Sequence, residues 1–523
     1  MSTKLKVVLC WHMHQPAYFA DGQYQLPWVY LHAIKDYVDM AAHLEAQPRV
    51  QAVINFSPIL LEQIDDYAQQ VEEYLNQGTP IRDPVLAGVC GALPHDSEGR
   101  WLFIKKCPEG GDLPRIVERF KPYQRIKQII STLEELKSRS GKEAIDYLDE
   151  QFFVDLMIWR HLGWLGETVR RNNSQVQNLI NKAEKFSAED RRQLLTIIGE
   201  LLSGVIPRYR ALENRGQVEL SMNPYTHPMI PLLLDMQSAQ QADALNLPNM
   251  TAYHEDTRVR WQIETGFAIF KKYFGIKPKG CWPPEGGICE KTVRLLEEYG
   301  IDWVASDEEL LRKSGMDNRQ FIPYQLPNSS VHCFFRHHEL SNKIAFHSAS
   351  EGAGEAVGFI TRQLEEIARA TDREQIVSII LDGENSWEHF PENAYYFLHD
   401  LYAALIDRAD IELTTLAQSC KMKPEQLPTL MAGSWTNTSF SQWVGDKTRK
   451  AEWELLNAAK NCLDEKRPTL SAEQCQAAEH QLAICEGSDW FWWMDDLTSS
   501  MVKLYHQHLR ELYRLLGENP PDF

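Results

Sequence analysis

The stretch Ile376–Phe390, IVSIILDGENSWEHF, sets how the rest of the chain is read. Its first six residues are apolar or small and rich in Ile and Val, the pattern of a strand covered on both faces, as in a parallel sheet. The run stops abruptly at Asp382, Gly383, Glu384 and Asn385. In α/β folds built on parallel strands, chemistry gathers at the carboxyl ends, where loops present side chains above a packed scaffold. Asp382 and Glu384 stand at such an end. A period of two points them the same way unless Gly383 twists the backbone between them.

Working outward, other short runs have the same form: LKVVLC (Leu5–Cys10), VQAVINF (Val50–Phe56), GQVELSM (Gly216–Met222), KGCW (Lys279–Trp282), IDWVAS (Ile301–Ser306) and VHCFF (Val331–Phe335). Amphipathic helical patterns lie between several of them. VRWQIETGFAIFKKYFG ends at Gly275 and EKTVRLLEEYG at Gly300, each with glycine where a helix C-terminus takes one. This alternation predicts a parallel barrel or a doubly wound sheet of seven strands. From about 60 to 215 the pattern is helical and too long for one crossover, so a helical insertion is expected, with a helix start at Ser187 before Glu189 and Asp190. After about Asp410 the chain again reads mainly helical. The predicted organisation is one α/β unit at 1–410 carrying the insertion, followed by a helical region at 411–523.

Of the 523 residues, 43% are hydrophobic and 24% charged, a globular balance with room for several cores. The formal charge of -19 argues against nucleic acid or an anionic membrane as partner, and a neutral substrate is indifferent to it. No run of about 18 uninterrupted apolar residues occurs, so no membrane span is expected. The ten cysteines are scattered without a CxxC pair, and MSTKLKVVLC enters a strand without a signal-like apolar region. A reduced, cytoplasmic protein is therefore expected. Many of the 15 tryptophans sit beside Asp, Glu, His or Gly, which suits stacking on the apolar face of a sugar as well as core or interface packing.

The first strand ends in WHMHQP (Trp11–Pro16), placing His12 and His14 two apart. Such a pair is a corner of a metal site, a set of substrate hydrogen-bonders, or a structural cluster. The third strand runs into NPYTHPMIPLL with His227 beyond its end, and the fourth gives GCWPPEGG, which holds Glu285 among prolines and glycines that stiffen the backbone. Glu285 also reads as an acidic residue ahead of the helix starting near Glu290. Each acidic or histidine residue follows a candidate strand. Two carboxylates across a pocket are what glycoside hydrolysis uses, one as nucleophile or base and one as proton donor.

Taken together and in order, WHMHQP, GQVELSMNPYTHPMIPLL, GCWPPEGG and LDGENSWEHF resemble glycoside hydrolase family 57. Two later segments, GSWTNTSFSQWVGD (Gly433–Asp446) and GSDWFWWMDD (Gly487–Asp496), resemble that family's aromatic C-terminal pieces. The resemblance implies an incomplete (β/α)7 barrel and a retaining mechanism on α-1,4-linked glucans, with no metal and no cofactor. It makes Glu285 the nucleophile and Asp382 the acid/base, about 5 to 5.5 Å apart in the general retaining scheme. It implies substrate contacts from His12, His14, Gln15, His227, Trp282, Glu384, Trp435, Asp489 and Trp490. The versions WPPEGG and LDGENSWEH look more like the family's α-amylase and amylopullulanase-like members than its branching enzymes. FFRHHELSNKIAF (Phe334–Phe346) departs from the family by having His337 and Asn342 where Asp is usual, which bears on specificity.

Two other readings remain open at this stage. One is a 4-α-glucanotransferase on the same site, since water and an acceptor sugar compete for one intermediate. The other is a metal-dependent deacetylase or amidohydrolase built on His12, His14, His227 and Asp382. Oligomeric state and action on α-1,6 links are not legible in the sequence.

Overall fold

The computed structural model describes residues 4–106, 114–140, 142–243, 256–316, 321–370 and 373–522. Its centre is a barrel of seven parallel strands: β1 (Leu5–Met13), β2 (Ala52–Phe56), β3 (Val218–Met222), β4 (Gly280–Cys281), β5 (Trp303–Asp307), β6 (His332–Arg336) and β7 (Ile376–Asp382). They follow one another around the barrel in chain order, and β7 returns to pair with β1 from Lys6↔Ile376 to His12↔Asp382. The runs read as strands are these strands. The β6–β7 seam is thin, with Ser378↔Arg336 its one residue pair.

Side-chain parity explains both the core and the site. Val8 and Cys10 of β1, Val53 of β2, Trp303 and Ala305 of β5, Phe334 of β6, and Ile376 and Ile380 of β7 form one buried cluster filling the barrel. Their alternate neighbours, such as Val7, Leu9 and Trp11 of β1, pack outward into the larger core. Extending the inward set by one more period of two gives His12, Asn55, Asp307, Arg336 and Asp382. Aliphatic layers thus give way to polar side chains at the carboxyl ends. Gly280 serves this packing directly, because a Cβ there would lie 1.8 Å from the Trp303 ring.

Between β2 and β3 the regular elements of the described residues are all helices, from Pro58–Gln77 to Ala188–Asn214. Ser187 caps the last of these in a reciprocal capping box with Asp190. The long helices after the barrel are Lys447–Lys466, Ala472–Cys485 and Ser500–Leu516. The mainly helical reading after Asp410 lacks two short strands: Glu425–Gln426 pairs parallel with Tyr324–Gln325, and β8 (Ile411–Leu413) pairs parallel with Leu5–Val7 of β1. It fills the edge of β1 that β2 leaves uncovered, since β2 pairs only with Cys10–Met13. Among the described residues no helix is long and apolar enough to cross a membrane.

Candidate active site

The polar ends of the strands open into a cavity of about 1050 Å³. His12, His14, Gln15, His227, Glu285, Asp382, Glu384, Trp435 and Asp489 all line it. Residues 477 positions apart in the chain therefore share one wall, because strand closure and the returning C-terminal segment bring them together.

His12 and His227 form a hydrogen-bonded pair whose tautomers follow from their neighbours. The Asn55 amide donates to Ser221 Oγ at 3.0 Å, which leaves Asn55 Oδ1 to accept from His12 Nδ1 at 2.8 Å. His12 Nε2 then accepts from His227 Nε2 at 3.1 Å, and His227 Nδ1 accepts from Ser488 at 2.9 Å. Both rings are neutral in this chain. Burial pushes His12 down to about 3 and His227 well below the ordinary histidine value, with neighbouring imidazoles adding to both shifts. His227 itself has φ 61, a left-handed conformation rare for a residue with a side chain.

His14 stacks on His227 with ring centroids 3.9 Å apart and bridges Ser57 at 2.7 Å and Asp489 at 2.8 Å. Glu384 is buried and accepts from the His14 backbone N–H at 2.8 Å and the Tyr37 hydroxyl at 2.6 Å. Burial, reinforced by Asp382, holds its carboxyl well above the usual range. Gly383 lets β7 approach β1 at this point: its N–H donates to the His12 carbonyl at 2.6 Å, and a Cβ would meet that oxygen at 3.1 Å. Asp382 and Glu384 consequently face the same cavity.

Glu285 sits in the turn after β4 with φ 58, also left-handed. Trp435 clamps it twice. The Trp435 backbone N–H donates to the Glu285 carbonyl at 3.0 Å, and its indole Nε1–H donates to Glu285 Oε2 at 2.9 Å. Burial pushes Glu285 up to about 8, with Asp382 and Asp489 adding to the rise and the Trp435 bond opposing it. Burial likewise lifts Asp382 to about 6, against the pull of Arg336 and His14. The Asp382 carboxyl makes no hydrogen bond among the described residues. Burial raises both carboxyls, and they titrate as a coupled pair that shares a proton.

Two aromatic assignments need correction. Trp282 does not line the cavity; it is fully buried beneath Gly286, with its ring 5.3 Å from that of Trp435, so it supports the clamp rather than touching a ligand. Trp490 is also buried, donates to the Ile484 carbonyl at 2.7 Å and stacks on Tyr505 at 5.9 Å. The next turn carries the exposed ring instead, since Trp492 and Trp493 reach the cavity. Sequence reasoning also missed Trp28, His32, Arg336 and Phe346 in its lining. Arg336 had a readable signal, being two residues beyond inward-facing Phe334 at a strand end. Asn342 is a lining residue, whereas His337 is buried against Phe321 with ring centroids 5.1 Å apart.

Among the described residues, one group could hold a metal ion: His14, His227 and Asp489, whose donor atoms lie within 4.8 Å of one another. Asp489 thus stands where a metal-hydrolase reading had placed Asp382.

Residues 8–431 match the family model described as Glycosyl hydrolase family 57. The chain belongs to glycosyl hydrolase family 57. It is accordingly an enzyme of glycosidic bonds, hydrolase or transglycosylase. Trp435, Asp489 and Trp490 lie beyond the matched residues. A curated family 57 relative, the 1,4-alpha-glucan branching enzyme of Thermococcus kodakarensis, is 26% identical over 167 residues, covering 27% of this chain and 22% of the relative. The chain thus matches less than a quarter of that protein's length. The crystal structure of that enzyme superposes with a TM-score of 0.59 at 16% identity, over 98% of this chain and 90% of its own. The alpha-amylase AmyC from Thermotoga maritima gives 0.59 at 13% identity, over 99% and 93%. The 4-alpha-glucanotransferase from Thermococcus litoralis gives 0.55 at 14%, over 98% and 60%. At these identities the family 57 structures establish a shared fold.

Proposed function

We propose that this family 57 enzyme acts on α-1,4-linked glucans by double displacement with retention, with Glu285 as nucleophile and Asp382 as acid/base. The observation that carries the reading is that the two carboxyls face one cavity from β4 and β7 with opposite anchoring: Glu285 clamped by Trp435, Asp382 without a hydrogen-bond partner among the described residues. A nucleophile gains from being held at attack distance, whereas a group that donates and then accepts a proton gains from freedom to turn.

In the first step Glu285 bonds to the anomeric carbon as the glycosidic C–O bond breaks, and the Asp382 proton passes to the departing oxygen. In the second, Asp382 takes a proton from water or a sugar hydroxyl, whose oxygen displaces Glu285. The neutral His12–His227 pair, His14 and Asp489 supply polar contacts beside the reacting sugar, and Trp435, Trp492, Trp493 and Phe346 supply flat apolar faces. Positive charge developing at the anomeric carbon favours the Glu285 anion, which leaves the shared proton on Asp382 for the departing oxygen. The upward push that burial and Asp382 give Glu285 favours a second reading in which the two roles are exchanged. Leaving-group dependence separates the readings, because only the variant lacking the proton donor retains its first step on an activated aryl maltoside.

The names of the structural neighbours include hydrolase and transferase activities, and the choice depends on what opens the glycosyl-enzyme. Product analysis on maltoheptaose after chelator treatment tests the proposal. Shorter maltodextrins with rising reducing ends mark an α-amylase-like hydrolase. Shorter and longer chains at constant reducing ends mark a transferase. Activity that returns only with a divalent ion would overturn both and favour chemistry at His14, His227 and Asp489.

A further inference from the structure

Where the β6–β7 ladder runs out, side chains complete it. Beyond Ser378↔Arg336, the Ile380 carbonyl accepts from Arg336 Nε at 2.9 Å and the Ile380 N–H donates to Ser341 Oγ at 3.3 Å. Ile380 is two residues before Asp382. The strand end that carries Asp382 pairs with β1 on one side and is held on its β6 side by a buried guanidinium in place of a backbone strand.

The same guanidinium is fixed by a ring of partners. Arg336 donates to Asp307 Oδ2 at 2.7 Å and to Asn342 Oδ1 at 2.6 Å. Asn342 Nδ2 donates to His338 Nε2 at 2.8 Å, and His338 Nδ1 donates to Asp307 at 3.1 Å. The orientation of Asn342 is set by Arg336, which cannot accept a hydrogen bond. Protonating His338 Nε2 would therefore set two donors face to face, even though its bond to Asp307 pulls the imidazole pKa upward. With His338 neutral, each hydrogen bond of the ring has one donor and one acceptor. That leaves Arg336 and Asp307 as its one cation and one anion. On its cavity side the guanidinium lies over Trp435, 5.4 Å from the ring centroid, and Trp435 is the residue that clamps Glu285.

We propose that Arg336 is the positioning residue of the site: through the Ile380 carbonyl it places Asp382, through its charge it sets when Asp382 ionises, and Asp307 moderates that charge. The other charged or titratable groups facing Asp382 are His14, Asp489, Glu285 and Glu384. Arg336 alone among them is a permanent cation.

The inference rests on Asp382 as proton donor, so its test reads ionisation without requiring turnover: carboxyl carbon NMR of aspartate-labelled protein, with Asp382→Asn identifying the resonance. Arg336→Gln removes the cation and is expected to raise the Asp382 midpoint by about one pH unit. Asp307→Asn keeps the shape but frees the Arg336 charge, and is expected to lower the midpoint by about half a unit. Arg336→Lys keeps the charge without the planar fork, so the midpoint holds while kcat on maltoheptaose falls about tenfold. A purely structural role moves no midpoint in opposite directions. Unmoved midpoints in the folded Gln and Asn variants, or wild-type kcat in Arg336→Lys, overturn the proposal. Either midpoint decides its sign if the other variant fails to fold. Midpoints that move as stated in a protein inactive on maltodextrins would sink the functional reading and leave the positioning role standing.

Discussion

The ends of β4 and β7 hold their carboxylates in opposite ways. Glu285 follows a strand of two residues, adopts a left-handed backbone and takes hydrogen bonds from Trp435 at both its carbonyl and its carboxylate. Asp382 ends a seven-residue strand in ordinary register with His12, and its carboxyl has no hydrogen-bond partner among the described residues. One is fixed from outside its strand and the other is aimed by its strand. The difference suits a nucleophile that must hold position and a proton carrier that serves two successive oxygens.

The strongest way to break this comparison is Glu285→Gln, which retains the shape and the Trp435 bond but cannot attack. Turnover of maltoheptaose should fall on the order of 10⁴-fold or more, with an unchanged circular dichroism melt. Activity near wild type would remove Glu285 from the mechanism. Asp382→Asn comes next, with a loss of about 10²- to 10⁴-fold on maltodextrins. Much of that loss should vanish in the pre-steady-state burst on an aryl maltoside, whose leaving group needs no proton. If Glu285→Gln shows the burst instead, the two roles are exchanged.

Trp435→Phe sharpens the comparison by loosening only the fixed partner. Losing a hydrogen bond to a charged group costs about 1.5–3 kcal/mol, so kcat should drop about 10- to 100-fold. Because the indole opposes the rise of the Glu285 pKa, the alkaline limb should also move upward. In the wild type, kcat/KM is expected to be bell-shaped with limbs near pH 6 and 8. Below about 6 both carboxyls are protonated and no nucleophile exists; above about 8 both are ionised and no acid remains. A profile flat from pH 5 to 9 would contradict the shared proton. The smallest effect is expected from Trp490→Phe. It removes the bond to the Ile484 carbonyl and costs about 1 kcal/mol of stability, while KM stays put, and a raised KM would return Trp490 to the binding site.

Much of this architecture was legible in the chain. Aliphatic runs with polar ends marked the seven barrel strands, because burial on both faces is written in local composition. The carboxylates at those ends followed from the same reading. Trp282 and Trp490 misled for a related reason: a tryptophan beside a charged residue looks the same in sequence whether its ring faces a cavity or a core. Arg336 was passed over because its importance depends on the thin β6–β7 seam, which composition does not record.

By itself the sequence determined the strand–helix alternation, the helical region between β2 and β3, and which acidic and histidine residues stand at strand ends. These properties depend on side-chain type at spacings of two to four residues. Only the tertiary structure decided that Trp435 grips Glu285 across 150 residues, that Asp489 meets His14 across 475, and that Arg336 closes the barrel beside Asp382. Such contacts depend on how strands close and where a distant segment returns, and no local pattern encodes those distances.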